Sequence, residues 1–431
     1  MIASFFDFKG RKSSYKKEIL GGTTTFLTMA YIIFVNPSIL SETGMNQAAL
    51  ISVTILATII GTLFAGLWAK VPYAMAPGMG LNAFFTYSLV IGQGVDWQTA
   101  LGVVFLSGVL FFVLTLSGFR TRLVHAIPIS LRLATGAGIG LFIAFIGFKN
   151  MGLIVNNDAT LVGLGAFSGT LLIALFGLAI TTILVVRKVN GGILYGIILT
   201  TLAALLFGKV SMPDTLISTP PSIAPLAFQL DILSAFKWSL LGVIFSFMFV
   251  DLFDSVGSIV ACSYEAGFVD KKGNVKYLDR ILEADAAATL VGSLLGTSTT
   301  TTYIESATGI ANGARTGFAS VITALLFALT LFFAPLIGIV PAYATAPALV
   351  LVGVFMFKHI REINFSDFSE SIPAFLTIIL MPLTYSISTG LSFGFIAYVI
   401  VKLSVAKYKD ISGLMYIIAV LSVINLYLSF S

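Results

Sequence analysis

The sequence predicts an all-α polytopic membrane protein, about 14 transmembrane helices in a seven-plus-seven inverted repeat. Three observations predict it. Of 431 residues, 58% are hydrophobic and only 10% are charged, against about 25% charged in soluble domains; mean hydropathy is +1.02. Apolar runs of about 20 residues, the length a bilayer crossing needs, recur along nearly the whole chain. One run in each half is broken by polar or helix-breaking residues at a corresponding place, which in inverted-repeat transporters points to a binding site.

The first seven spans are expected at 19–37, 48–68, 74–91, 99–117, 131–148, 169–187 and 192–208. A proline-bearing linker follows (MPDTLISTPPSIAP). The second seven are expected at 238–262, 283–297, 299–312, 314–334, 343–357, 371–388 and 390–406. Segment 411–430 reads either as an extra span or as an interfacial helix. The stretch at 299–312 is too polar to score as a span, and charge decides it. With the N-terminus inside and this crossing counted, every lysine and arginine except Lys149, Lys209 and Lys237 falls on the cytoplasmic side. Without it, Arg315, Lys358, Arg361, Lys402, Lys407 and Lys409 would move outside, against the excess of cytoplasmic cations in membrane proteins. An odd number of spans per half makes the halves enter the membrane from opposite sides, as an inverted repeat requires.

Composition excludes several classes of function. Cys262 is the single cysteine, so no internal disulfide or cysteine metal cluster is expected. His125 and His359 lie beside basic loops, which argues against a multi-histidine metal site. The net charge of +5 reflects cytoplasmic loops, not a nucleic-acid partner. The N-terminus (MIASFFDFKGRKSSYKKE) lacks the apolar core of a cleavable signal peptide. No phosphate-binding glycine loop, zinc motif or nucleophile–His–acid set is present, so an enzyme is not expected.

Within the apolar runs, a few polar residues stand out. The third span carries APGMGLNAFF at 76–85 and the tenth TSTTTTYIESATGI at 297–310. Proline, glycine and a threonine run break these helices, and exposed backbone is tolerated at such depth only where it is buried in protein or lines a cavity. Each break is expected to hold a short extended piece, the two meeting at mid-membrane with half-helix dipoles aimed at the same place. Four acids lie in or near spans: Asp251 and Asp254 in the eighth, Asp285 at the start of the ninth and Glu305 in the tenth. A carboxylate at the bilayer centre costs roughly 2.5–3.5 kcal/mol on insertion scales. These acids either hydrogen-bond neighbouring helices or hold a substrate or proton. Three residues apart, Asp251 and Asp254 lie near one helix face. On the first span Thr23, Thr24, Thr25, Thr28 and Tyr31 face either the site or a packing partner.

GGTTTFLTMAYIIFVNPSIL, APGMGLNAFF, FVDLFDSVGS, EADAAATLVGSLLGTSTTTTYIESATGI and LMPLTYSIS together resemble the AzgA-like adenine/guanine/hypoxanthine permeases of the nucleobase–cation symporter-2 (nucleobase:ascorbate transporter) family. The resemblance runs in order over nearly the whole chain. It implies fourteen spans, with spans 1–4 and 8–11 forming a core domain and spans 5–7 and 12–14 a gate domain that mediates homodimerisation. Substrate would bind between them beside short strands in spans 3 and 10. DSVG matches the family's span-8 acid and selects Asp254 over Asp251. YIE matches its span-10 motif, giving Glu305, with Tyr303 as stacking partner. Asp285 corresponds to an acid implicated in proton coupling, and Gly80 and Asn82 match the span-3 motif.

The expectation is therefore a multi-pass cell-membrane transporter, N-terminus cytoplasmic, importing purine bases (hypoxanthine or guanine, then adenine) with protons; Na⁺ is left open beside H⁺. Asp254 and Glu305 would accept ring N–H groups, Tyr303 and Phe84 would stack, and the strand backbones, with Thr302, Gly80 and Asn82, would complete recognition. Coupling would fall among Glu305, Asp254, Asp285 and Asp251. No organic cofactor and no metal is expected; the partners are the base, membrane lipid and a second copy. The alternatives are a uracil or xanthine permease, or an anion transporter of the same fold. The expected divisions are an N-terminal tail (1–18), core (19–118), gate (119–208), linker (209–237), core (238–335) and gate (336–431).

Overall fold

A computed structural model describes residues 2–117, 126–270 and 274–430. Arg120, Arg122, Lys271 and Lys272, which entered the charge argument, and His125, which entered the argument against a metal site, lie outside the described residues. Among the described residues, nine helices are long and apolar enough to cross a membrane, and four shorter apolar helices accompany them.

The first span is two helices, α1 (Tyr15–Met29) and α2 (Ile32–Leu40), followed by α3 (Gln47–Leu63). The third span is a strand, β1 (Met75–Pro77), then α4 (Met79–Ala83), which runs on as a wider π-turn to Ile91. Next come α5 (Trp97–Leu116) and α6 (Ile129–Asn150). A hairpin, β2 (Ile154–Asn157) with β3 (Leu161–Leu164), leads to α7 (Gly169–Val186) and α8 (Gly192–Leu206). In the second half, α9 (Trp238–Ala266) and α10 (Leu278–Leu295) precede β4 (Thr300–Thr302) and α11 (Ser306–Ala311). The chain closes with α12 (Gly317–Thr330), α13 (Ala342–Phe357), α14 (Phe368–Leu383), α15 (Ile387–Ser404) and α16 (Gly413–Phe430).

Both expected breaks are present, and they pair. β1 and β4 are antiparallel, with Met75 opposite Thr302, Ala76 opposite Thr301 and Pro77 opposite Thr300. Helix α4 starts two residues after β1 and α11 four residues after β4, so both N-termini lie near the pair. Serine and threonine hydroxyls hold the surrounding backbone: Thr62 bonds both backbone groups of Met75, and the Ala74 N–H donates to Ser306 Oγ at 3.0 Å. Because these residues are buried, such side chains satisfy backbone groups that a continuous helix would satisfy itself.

Helices cross where glycine removes the side chain. A Cβ on Gly21 of α1 would lie 2.5 Å from Ala314 Cβ, and one on Gly309 of α11 only 2.4 Å from the Gly21 carbonyl. A Cβ on Gly140 of α6 would meet the Gly353 carbonyl of α13 at 2.6 Å, and the reciprocal contact is 2.4 Å. Apolar lipid gives little drive for helix association, so this close approach supplies it through van der Waals packing. Two packing neighbourhoods result: α12 lies on α1 and α3 with α5, α9, α10 and α11 near them, while α6 is sandwiched by α13 and α14, with α7, α8 and α15 alongside.

Segment 411–430 is not an isolated surface helix. Helix α16 packs against α15 and α9. The Asn425 amide near its end donates to Ser392 Oγ near the start of α15 at 3.2 Å, so the two run antiparallel for most of their length. The hairpin β2–β3 is the other unexpected element; 154–164 carries no clear alternation.

Candidate functional site

A cavity of about 730 Å³ enters from the end of the bundle at which α6 begins. Its wall is made by Thr28 of α1, the first turns of α6 around Arg132, the α7–α8 turn, and the last turn of α13 with Lys358 and His359 beyond it. The opposite wall is one face of α9: Val250, Asp254, Gly257, Ser258 and Ala261 recur at helical spacing. Ile304, Glu305 and Thr308 complete it from the tenth span.

The four acids separate by position. Asp254 and Glu305 line the cavity and are partly exposed to it, whereas Asp251 and Asp285 are buried at 1% and 0% exposure. Glu305 occupies the N-cap position of α11 without a side-chain capping bond. Its Oε1 accepts a 2.5 Å hydrogen bond from the Tyr31 hydroxyl, at the break between α1 and α2. Asp254 lies across from β4, facing Thr301. Among the described residues, no lysine or arginine stands within ion-pair distance of either.

Asp285 is a clip. Its Oδ1 accepts from both the Thr302 N–H and the Thr302 hydroxyl at 2.9 Å, and its Oδ2 from Ser255 Oγ at 2.5 Å. It thereby ties β4 to the helix turn that carries Asp254. Asp251 accepts from the Thr289 hydroxyl at 3.4 Å, and Thr289 also reaches the Thr300 carbonyl at 3.0 Å.

The remaining expected residues stand behind this wall. Tyr303 donates its hydroxyl to the Pro77 carbonyl at 2.6 Å and its N–H to the Ala74 carbonyl at 2.9 Å, bracing the strand pair. Phe84 stacks on Phe247 of α9, centroids 4.2 Å apart and planes 5° from parallel, both rings fully buried. Asn82 accepts from the Ser298 hydroxyl, while its Nδ2 is buried without a hydrogen-bond partner. A Cβ on Gly80 would lie 2.8 Å from Ile139 Cγ2, so Gly80 lets α6 close against the third span. Thr302 is held by Asp285. None of these five lines the cavity. Sequence reasoning missed the α6 and α13 wall: its Leu133, Ile139, Phe355 and Met356 are apolar, and its Arg132, Lys358 and His359 were read only as loop charges or loop neighbours. It also missed Val250, Gly257, Ser258 and Ala261, which the helical repeat around Asp254 could have supplied.

The far end of α6 is shut. Tyr87 of the third span donates to Glu42 Oε1 at 2.7 Å, and the Asn150 amide at the end of α6 donates to the same atom at 3.2 Å. The Ser88 hydroxyl donates to the Tyr385 carbonyl at 2.9 Å. Tyr385, in the α14–α15 turn, has φ of 52° and is held in this left-handed conformation by edge contacts with Phe142 and Phe145.

Residues 16–423 match the Xan_ur_permease model, described as a permease family. The chain belongs to this permease family. The permease is 50% identical over 421 residues to a Methanocaldococcus jannaschii protein whose name says permease without a substrate, with 97% of each chain covered. It is 44% identical to the guanine/hypoxanthine permease PbuG of Bacillus subtilis (96% of this chain, 97% of that one). With the adenine permease AdeP of Escherichia coli it shares 39% identity (99% and 96%). The fold is that of the transmembrane domain of the cyanobacterial bicarbonate transporter BicA, TM-score 0.66 at 15% identity over 89% of this chain and 97% of that one. It is an integral membrane protein of the nucleobase–cation symporter-2 family.

Proposed function

We propose that this permease imports purine nucleobases, hypoxanthine or guanine before adenine, together with protons. The observation that carries the reading is that Asp254 and Glu305, alone of the four membrane acids, face one cavity, with no lysine or arginine within ion-pair distance among the described residues. A flat neutral base offers ring N–H donors, and two adjacent carboxylates accept them; a carboxylate without a paired cation is also free to take up a proton. The names of PbuG and AdeP, proteins with 44% and 39% identity, support a purine. The likeness to BicA is one of fold.

Spans 1–4 and 8–11 (19–118 and 238–335) act as a core carrying both acids, and spans 5–7 and 12–14 (119–208 and 336–431) as a gate. Thr28, Val250 and Phe253 then form the core wall, and Ile139, Phe355 and Met356 the gate wall. With the N-terminus cytoplasmic, the cavity opens inward, and Tyr87–Glu42–Asn150 and Ser88–Tyr385 seal the outside. Movement of core against gate breaks this seal and exposes Asp254 and Glu305 to the exterior. The gate surface pairs with a second copy in the cell membrane. Uptake of radiolabelled hypoxanthine, guanine and adenine into cells lacking their own purine carriers tests the reading. Saturable uptake that a protonophore abolishes supports it; correctly inserted protein with no purine uptake contradicts it.

A further inference from the structure

The cavity has a second chemical character. Deep in, it presents two carboxylates; at its mouth it presents Arg132, Lys188 and Lys358, with His359 beside them. None of the three permanent cations is within ion-pair distance of a carboxylate among the described residues, although all 19 acidic residues are described. Arg132 is the most telling. It is half-buried, and its Nε is buried without a hydrogen-bond partner. The Arg132 guanidinium thus lines the cavity with no carboxylate within ion-pair distance among the described residues. Topology alone asks for cations in cytoplasmic loops; it does not ask for three of them, unpaired, around one opening.

The volume agrees. At about 730 Å³ the cavity lies in the range of sites for drug-sized ligands, about 300–1,000 Å³, and a purine of ten or eleven heavy atoms leaves much of it empty. We propose that the cavity mouth is a phosphate-recognition site formed by Arg132, Lys188 and Lys358, so that a purine 5′-mononucleotide occupies the cavity from inside, base toward Asp254 and Glu305 and phosphate on the rim, without being carried. Guanidinium and ammonium groups are the side chains suited to phosphate. The reaction class that consumes an imported base by attaching a ribose 5-phosphate makes this ligand, which then holds the carrier inward-facing and slows import. The nucleotide part of the proposal rests on the purine reading above; the phosphate site does not. The same rim would take a phospholipid headgroup, and the test separates the two sources.

Full-length protein in phosphatidylcholine nanodiscs is titrated with inosine 5′-monophosphate, inosine, hypoxanthine and inorganic phosphate, with Tm as readout, for wild type, Arg132→Gln and Lys358→Gln. The proposal expects the monophosphate to bind about tenfold or more tighter than inosine, and this ratio to fall toward one in each variant. If monophosphate and inorganic phosphate both bind in an Arg132-dependent way while hypoxanthine does not, the phosphate site stands and the purine reading fails. Stabilisation by phosphatidylglycerol nanodiscs alone, lost in Arg132→Gln and Lys358→Gln, supports the site with a lipid headgroup as occupant. If hypoxanthine binds wild type but neither soluble phosphates nor phosphatidylglycerol distinguish it from either variant, the proposal is overturned.

Discussion

The Tyr31 hydroxyl donates to Glu305 Oε1 at 2.5 Å, joining the break in the first span to the break in the tenth. The bond fixes one carboxylate oxygen and leaves the other for the cavity. Removing it with Tyr31→Phe leaves a buried carboxyl oxygen without its partner, about 1–3 kcal/mol. Uptake at low substrate should fall by about ten- to a hundredfold with protein levels unchanged. Unaltered uptake would show that Glu305 needs no orientation.

Asp285 separates structure from coupling. Three donors converge on its carboxylate, from Thr302 twice and Ser255 once. Asp285→Ala leaves them unsatisfied, and Tm should drop by about 5 °C or more. Asp285→Asn keeps an acceptor for Thr302 and can donate to Ser255, so most of the stability should return. If Asp285→Asn folds like wild type yet loses all gradient-driven uptake, Asp285 carries a coupling proton besides holding β4.

The closed end of the bundle offers a mechanical test. Ser88 and Ile387 are in contact there, the Ile387 N–H reaching Ser88 Oγ at 3.4 Å. In a Cys262→Ser background, the pair Ser88→Cys and Ile387→Cys should lose most uptake on oxidation and regain it on reduction. Oxidised protein that cross-links fully and still transports would mean that these segments do not separate in the cycle.

An ion cluster braces the mouth end of α6, α14 and α15. Lys402, with a side chain only 3% exposed, lies 2.5 Å from Glu370, which also accepts from the Ser130 hydroxyl. Lys402→Met strands Glu370, at the low end of about 3–5 kcal/mol because Glu370 is 24% exposed. The double variant Lys402→Met with Glu370→Met should recover most of the loss in Tm. No recovery would locate the cost in packing of the lysine stem.

What the sequence made legible follows from what membranes penalise. Broken helices and acids are costly in lipid, so APGMGLNAFF, TSTTTTYIESATGI and the four acids stood out, and the strands at Met75–Pro77 and Thr300–Thr302 formed where helix was least tenable. Helix position alone left open which acids face the cavity, since Asp251 and Asp254 differ only by three positions; the DSVG and YIE resemblances chose Asp254 and Glu305, and Asp285 is turned away by its bonds to Thr302. Tyr303 and Phe84 carried a stacking expectation; the structure places the Tyr303 hydroxyl on Pro77 and the Phe84 face on Phe247, contacts between segments far apart in sequence. The cavity wall formed by Ile139, Phe355 and Met356 was invisible because these residues look like any lipid-facing ones.

The central claim is that Asp254 and Glu305 together bind the purine and couple it to protons. It is tested most directly in proteoliposomes, by hypoxanthine accumulation under an imposed proton gradient and by gradient-free exchange of labelled for unlabelled hypoxanthine. The account predicts that wild type does both, and that Asp254→Asn and Glu305→Gln each lose accumulation, at least one of them keeping exchange. Accumulation at wild-type rates by both variants would contradict it.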